Sequence, residues 1–169
     1  MMKNLLTGAL ALMMCCAMAV PVFAEDTMID QNTTDKKGET EVSFNVEPTY
    51  TITIPGAVEL EEINTDGTTT YEKDMDIVAS KGVRLKEGQD IQVTMNSDFT
   101  LETDAATATY SLPYTVTVNQ AQIANEGVVA EFTTSTAEQT STLHFAADNP
   151  IYAGEYIDTV TFTISIVSE

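Results

Sequence analysis

The chain has 169 residues and carries 26 acidic against seven basic side chains, which gives a formal net charge of −19 at pH 7. This acid surplus argues against nucleic acid and anionic polymers as partners, because binding to them relies on Lys and Arg. With one histidine and no tryptophan, the chain also has few of the residues that catalytic sites use. We therefore expect a protein that is not an enzyme.

The first 24 residues predict a Sec signal peptide. They contain one Lys near the start, an apolar run over residues 5–20, and small residues before a cleavage point after Ala24. The run is shorter than the ~20 residues of a spanning helix, so we expect a secreted or extracellular mature chain without membrane insertion. Both cysteines, Cys15 and Cys16, lie in this segment. Met14 disfavours the rival lipoprotein signal, and the mature chain is expected to have no disulfide.

The mature part divides into a polar segment and a region of regular alternation. Residues 25–41 show no hydrophobic periodicity and predict a disordered leader. From residue 42 onwards apolar and polar side chains alternate with a period of two, which is typical of strands with one buried face. The clearest strands are predicted at residues 50–54, 91–95, 114–118 and 160–166, and weaker ones at 42–46, 58–61, 71–79, 99–102, 128–133 and 141–145.

This pattern predicts an all-β fold, an antiparallel β-sandwich of immunoglobulin-like or pilin-like kind, over residues 42–169. Thr fills the polar positions of the clearest strands and suits a solvated outer face. Regular turn signals, such as residues 64–67 (NTDG), favour about eight to ten strands. Lys73 shares its parity with the apolar positions of its strand, so its ammonium group is expected to reach out to solvent.

His144 is the only histidine and the only candidate for acid–base catalysis. Because it alternates with Leu143 and Phe145, we expect it on the outer sheet face as an ordinary surface imidazole. Zinc sites built from His and Cys are excluded by count. No catalytic residue, metal ligand or cofactor is therefore assigned from the sequence.

The side-chain types present also suggest a calcium site and an isopeptide crosslink as candidates. Asp74 and Asp76 share a strand face and Asp66 lies in the preceding turn, but the spacing of a calcium loop is missing. An isopeptide crosslink would have Lys73 as the donor and Asp158 as the acceptor, although a snorkelling lysine explains Lys73 equally well. The lack of Trp argues against a glycosidase or carbohydrate-binding module.

Two stretches carry a resemblance to known families. YTITIP at residues 50–55, with Val58 and Leu60, and AGEY at residues 153–156, with the strand after it, resemble small secreted β-sandwich proteins of Firmicutes. The closing stretch is also similar to WxL-domain surface proteins and to the spore coat protein U and fimbrial subunit group. The resemblance implies a corner at AGEY and a last strand that completes the sandwich. Phe162 stands where WxL domains carry Trp, which departs from their pattern.

These observations predict an exported, non-enzymatic structural or adhesive protein of the cell surface. The leading alternative is a pilin-like subunit that polymerises by strand donation, with residues 42–46 as the donor strand rather than the first strand of the domain. A secreted carbohydrate-binding module is less favoured. The expected partners are other surface or extracellular proteins, or further copies of the chain.

Overall fold

The structure is a computed structural model that describes residues 29–32, 34, 36–38, 40–103 and 109–168. The predicted signal peptide lies outside the described residues. In the predicted leader the described residues form no strand, and its disorder stays a prediction. The described part of the chain contains no helix long and apolar enough to cross a membrane.

Eleven strands make up the secondary structure of the described residues, and all their pairings are antiparallel. In chain order they are β1 (Ile52–Thr53), β2 (Glu61–Thr65), β3 (Thr68–Ala79), β4 (Gln89–Asn96), β5 (Thr100–Thr103), β6 (Ser111–Val118), β7 (Ala121–Gln122), β8 (Gly127–Phe132), β9 (Gln139–Asp148), β10 (Tyr156–Ile157) and β11 (Thr161–Ser168). The predicted all-β, antiparallel class is confirmed.

The strands form two sheets. The larger one has eight strands in the order β1-β3-β9-β6-β5-β10, with β2 paired to β3 and β7 paired to β6. The smaller one has three strands in the order β11-β4-β8. All eleven lie in a compact unit that includes Pro48–Glu169, and Leu10–Glu47 belong to a second unit. The predicted domain boundary after residue 41 stays a prediction.

The core lies between the inner faces of the two sheets, where the predicted alternation places the apolar side chains. Ile77, Val116 and Leu143 of the larger sheet are fully buried, as are Ile91, Val93 and Met95 of the smaller one. Phe132 is the largest of the fully buried side chains. At one edge of the sandwich the two sheets are tied by Ser141 Oγ of β9, which donates to the carbonyl of Val129 in β8 at 2.7 Å.

Some predicted strands are wrong or displaced. Residues 42–46 form no strand, because an extended segment needs a neighbouring strand to satisfy its backbone groups. Residues 58–60 are likewise irregular, and the strand predicted there begins at Glu61. The two-residue strands β7 and β10 were not predicted, because they are too short to show a period.

The β2–β3 hairpin shows how a local sequence fixes a turn. Its two central residues, Asp66 and Gly67, both have positive φ angles of 52° and 82°. Two central residues with positive φ define the type I′ turn, whose twist matches that of the flanking strands, and Asp-Gly is one of its preferred pairs. The turn predicted over residues 64–67 is confirmed.

Candidate functional site

An apolar groove lies at the start of β11, the last of the described strands. The strand pairs with β4 from Thr161 opposite Asn96 to Ser168 opposite Gln89, and it has no other strand neighbour among the described residues. Its second backbone edge is therefore open at this side of the sandwich. An open strand edge offers free N–H and C=O groups to an added strand.

The side chains of β11 keep the predicted parity but are less buried than expected. Val160, Phe162, Ile164 and Ile166 pack against the core and are half-buried, whereas Thr161, Thr163 and Ser165 are exposed. The last strand was predicted to complete the sandwich, and its apolar side chains do pack against the core. They stay partly exposed, and no described strand covers the far side of β11.

The groove has a volume of about 540 Å³, which lies within the range of ligand-binding pockets. Its lining includes Val160 and Phe162 of the β11 region, and Val58 and Leu60 of the irregular segment before β2. Met75 and Phe145 of the larger sheet also line it. The groove is therefore lined by apolar side chains of both sheets and lies at the start of β11.

Three polar side chains meet beside the groove, and we call them the clasp: Ser97, Tyr114 and Asp158. Tyr114 Oη donates to Asp158 Oδ2 at 2.7 Å, and Ser97 Oγ donates to the same oxygen at 2.7 Å. The two hydroxyl oxygens are 2.8 Å apart. Tyr114 and Asp158 both line the groove.

The clasp joins the two sheets. Ser97 follows β4 of the smaller sheet, Tyr114 lies in β6 of the larger sheet, and Asp158 lies in the link between β10 and β11. Burial, together with the hydrogen bond and negative charge of Asp158, raises the pKa of the Tyr114 phenol well above its ordinary value, so Tyr114 stays protonated at neutral pH. The clasp therefore holds a neutral phenol against a carboxylate.

Backbone strain accompanies the clasp at Phe99. This residue has a φ of 57°, an uncommon conformation for a bulky side chain. Its N–H donates to Ser97 Oγ at 2.8 Å, and its carbonyl accepts from the N–H of Tyr114 at 3.0 Å. The Phe99 ring also packs edge-to-face on Tyr114, with centroids 5.7 Å apart. Both neighbours that fix the strained turn thus belong to the clasp.

The outer face of the larger sheet carries the sequence-predicted histidine and acidic residues. His144 Nδ1 lies 2.8 Å from Asp74 Oδ1, and its Nε2 lies 3.6 Å from Glu72 Oε2. Asp76 accepts from Thr142 Oγ1 at 2.6 Å. The predicted outer-face position of His144 is confirmed. Among the described residues, no group of three or more His, Cys, Asp or Glu side chains could hold a metal ion.

The two candidate isopeptide residues have separate partners. Lys73 lies at an inward-parity position of β3, and its ammonium group reaches outwards to Glu61 of the neighbouring strand β2, as the snorkelling interpretation predicted. Asp158 is held by Ser97 and Tyr114 in the clasp. The structure therefore gives each residue a role without a crosslink between them.

Sequence reasoning did not find the clasp. Tyr114 was predicted to be a core side chain from its parity with Val116 and Val118, and it is 6% exposed. A buried tyrosine usually needs a hydrogen-bond partner for its hydroxyl group, and this requirement was the available signal. The partners are 17 and 44 residues away along the chain, so only the fold could select them.

No family model matches the chain, and no curated protein matches it. One similar solved structure is the pre-assembly complex of the CsuC chaperone and the CsuE tip adhesion subunit, from archaic chaperone-usher Csu pili of Acinetobacter baumannii. The identity is 17%, the TM-score is 0.43, and the match covers 70% of this chain. This chain spans 40% of the length of the chain it matches.

Proposed function

We propose that this chain is an exported, non-enzymatic structural or adhesive protein of the cell surface, and that it assembles by accepting a strand into the groove beside β11. The observation that carries the proposal is the β11 edge that no described strand covers, with an apolar groove at its start. Addition of an extended strand at such an edge supplies backbone hydrogen bonds, and side-chain pockets beneath it supply specificity.

A segment of the chain itself has the pattern that the groove requires. Val42, Phe44 and Val46 alternate with polar residues, and they are 91%, 89% and 45% exposed. In an extended strand these three side chains point to one face, since successive side chains point to opposite faces. A second copy of the chain could thus place them in the groove while its backbone pairs with β11.

This pattern favours the pilin-like alternative among the predictions made from sequence. A strand that leaves one copy and completes the sandwich of the next makes a head-to-tail contact, and head-to-tail contacts that do not close give filaments. The interaction would also cover the open edge of β11, which otherwise invites non-specific aggregation. Polymerisation by strand donation therefore accounts for both the groove and the exposed apolar segment.

The non-enzymatic part of the proposal is supported by the position of His144. It lies on the outer face of the larger sheet between two carboxylates, away from the apolar groove. A carbohydrate-binding module is less well supported, because Tyr110 and Tyr152 stack on each other with centroids 4.1 Å apart. Each of these rings has one face covered by the other, which reduces the stacking surface available to a sugar.

The experiment compares the mature protein with a donor variant, Phe44→Asp, and a matched control, Ser43→Asp. Phe44 would enter the groove, whereas the neighbouring Ser43 would point away from it. We expect wild type and S43D to form polymers that appear as ladders on gels of unheated samples, and F44D to remain monomeric by light scattering. If wild type is monomeric at every concentration, or if both variants polymerise equally, strand donation is wrong.

Surface location is tested separately in the producing cell. A tag inserted after Gly67, in the exposed β2–β3 turn, should be accessible to antibody on intact cells. Labelling that appears only after lysis would overturn the proposed location without affecting the test of strand donation.

A further inference from the structure

The clasp lies next to the start of β11, and two of its members line the groove. Asp158 is three residues before Thr161, the first residue of β11, and its carboxylate binds one hydroxyl from each sheet. Asp158 Oδ1 also accepts from the N–H of Thr159 at 2.6 Å. The start of β11 is thus fixed to both sheets by charge-assisted hydrogen bonds, which are stronger than neutral ones.

An apolar groove in water tends to narrow. Val160 and Phe162 are only half-buried, and a shift of the β11 region towards Val58 and Leu60 would bury more of all four side chains. Among the described residues, β11 pairs with a strand on one side only. Hydrogen bonds to the link just before β11 would therefore oppose such a shift of its start.

We propose that Ser97, Tyr114 and Asp158 act as a positioning device that holds the groove at the width of an incoming strand. This inference rests on the proposed function. It adds how the groove that accepts the strand is kept open before the strand binds. The clasp connects the two sheets, and its members Tyr114 and Asp158 line the groove, so its hydrogen bonds restrain the separation of the sheets there. Phe99 lies beside the clasp, and Ser97 and Tyr114 hold its backbone in the strained conformation. Such strain costs free energy and persists only where the surrounding structure enforces it.

The chemistry of the clasp requires a carboxylate at position 158. Oδ2 accepts two hydroxyl protons while Oδ1 accepts a backbone proton. An asparagine side chain has the same shape but offers one acceptor oxygen and a donor NH₂ group. With the amide oxygen in place of Oδ2 the Thr159 N–H loses its acceptor, and with the NH₂ group in that place the two hydroxyl protons lose theirs. Asp158→Asn therefore removes at least one of these three hydrogen bonds without adding volume to the groove.

The experiment measures uptake of a donor peptide by a chain that cannot donate. The acceptor is the mature chain with Phe44→Asp, and the probe is a fluorescent synthetic peptide of residues 38–48. Association and dissociation rates are measured for this parent and for the parent with Asp158→Asn. Asp76→Asn is the matched control, because Asp76 binds Thr142 on the outer face, far in sequence from the clasp.

We expect Asp158→Asn to weaken peptide binding about tenfold, mainly through a slower association rate, because part of the molecules must first reopen the groove. Asp76→Asn should leave the affinity unchanged. Gly67→Ala, which strains the β2–β3 turn, serves as a variant with reduced stability and an intact clasp, and it should also bind normally. Asp158→Glu should restore part of the association rate by returning a carboxylate.

Each outcome separates the two proposals. If the parent takes up no peptide, the proposed function fails and this inference fails with it. If the parent takes up peptide and Asp158→Asn binds as well or better, the proposed function stands and the positioning role is wrong. Where Asp158→Asn does not fold, Tyr114→Phe removes a single hydroxyl group from the same clasp, and its association rate decides the question in the same way.

Discussion

Phe162 of β11 lies directly opposite Met95 of β4 in the smaller sheet, yet Met95 is fully buried and Phe162 is only half-buried. The two side chains share a face and differ in what lies beside them. Met95 has a strand on each side, β11 and β8, whereas Phe162 has β4 on one side and the groove on the other. This difference marks the edge at which the sandwich is open. It also determines how much each side chain contributes to the free energy of unfolding.

The first prediction ranks three substitutions by burial. Phe132→Ala should cost about 3 to 5 kcal/mol of unfolding free energy, because the side chain is fully buried. Phe162→Ala should cost less, about 2 to 3 kcal/mol, because part of its side chain is already exposed to water. Thr161→Ala should cost under about 1 kcal/mol. Urea unfolding measures all three, and a loss at Thr161 larger than that at Phe162 would mean that the outer face of β11 is covered by a partner.

The second prediction concerns the clasp hydroxyl. Tyr114→Phe leaves a buried Ser97 and the Asp158 carboxylate without one partner, and hydrogen bonds to charged groups are worth about 1.5 to 3 kcal/mol. We expect a loss of unfolding free energy in that range. Tyr71→Phe is the control, because the Tyr71 hydroxyl makes only an exposed contact of 3.4 Å to Glu62. Equal effects of the two substitutions in urea would show that the clasp contributes nothing to stability.

The third prediction is an alkaline loss of stability. Burial raises the pKa of Tyr114 in the folded state, so the folded protein holds this proton more tightly than the unfolded chain does. The contribution of the Tyr114 phenol to the free energy of unfolding is fully present below the ordinary tyrosine pKa of about 10. Above that pH the contribution falls by up to about 1.4 kcal/mol per pH unit. Urea unfolding of wild type and Tyr114→Phe across this range gives the comparison. If both fall with the same slope, Tyr114 is not the responsible group.

The fourth prediction uses two glycines with open surroundings. A Cβ added at Gly67 or at Gly56 would meet nothing within 4 Å, but Gly67 has a φ of 82° and Gly56 is outside the left-handed region. Gly67→Ala should therefore destabilise by about 1 kcal/mol through backbone strain alone. Gly56→Ala should be neutral or stabilising by about 0.4 to 1 kcal/mol, because it restricts the unfolded chain. Thermal unfolding of the two variants would contradict the turn assignment if the order were reversed.

The sequence by itself determined the class of fold, because the period of two in apolar side chains is a local property that survives in the structure. The parity of β4, β6 and β11 was correct residue by residue, and so was the outward position of His144, since each depends only on the alternation along one strand. The turn at Asp66 and Gly67 was equally local. The acidic charge is also readable without a fold, and the signal peptide stays a prediction from the sequence.

Only the tertiary structure decided which strands lack a neighbour and which polar groups meet. Val160 and Phe162 have the same pattern as fully buried residues, and their partial exposure follows from the place of β11 at the edge of its sheet. The clasp joins positions separated by as many as 61 residues. Long-range pairings of this kind depend on sheet order, which is a property of the whole chain, so no local period could reveal them.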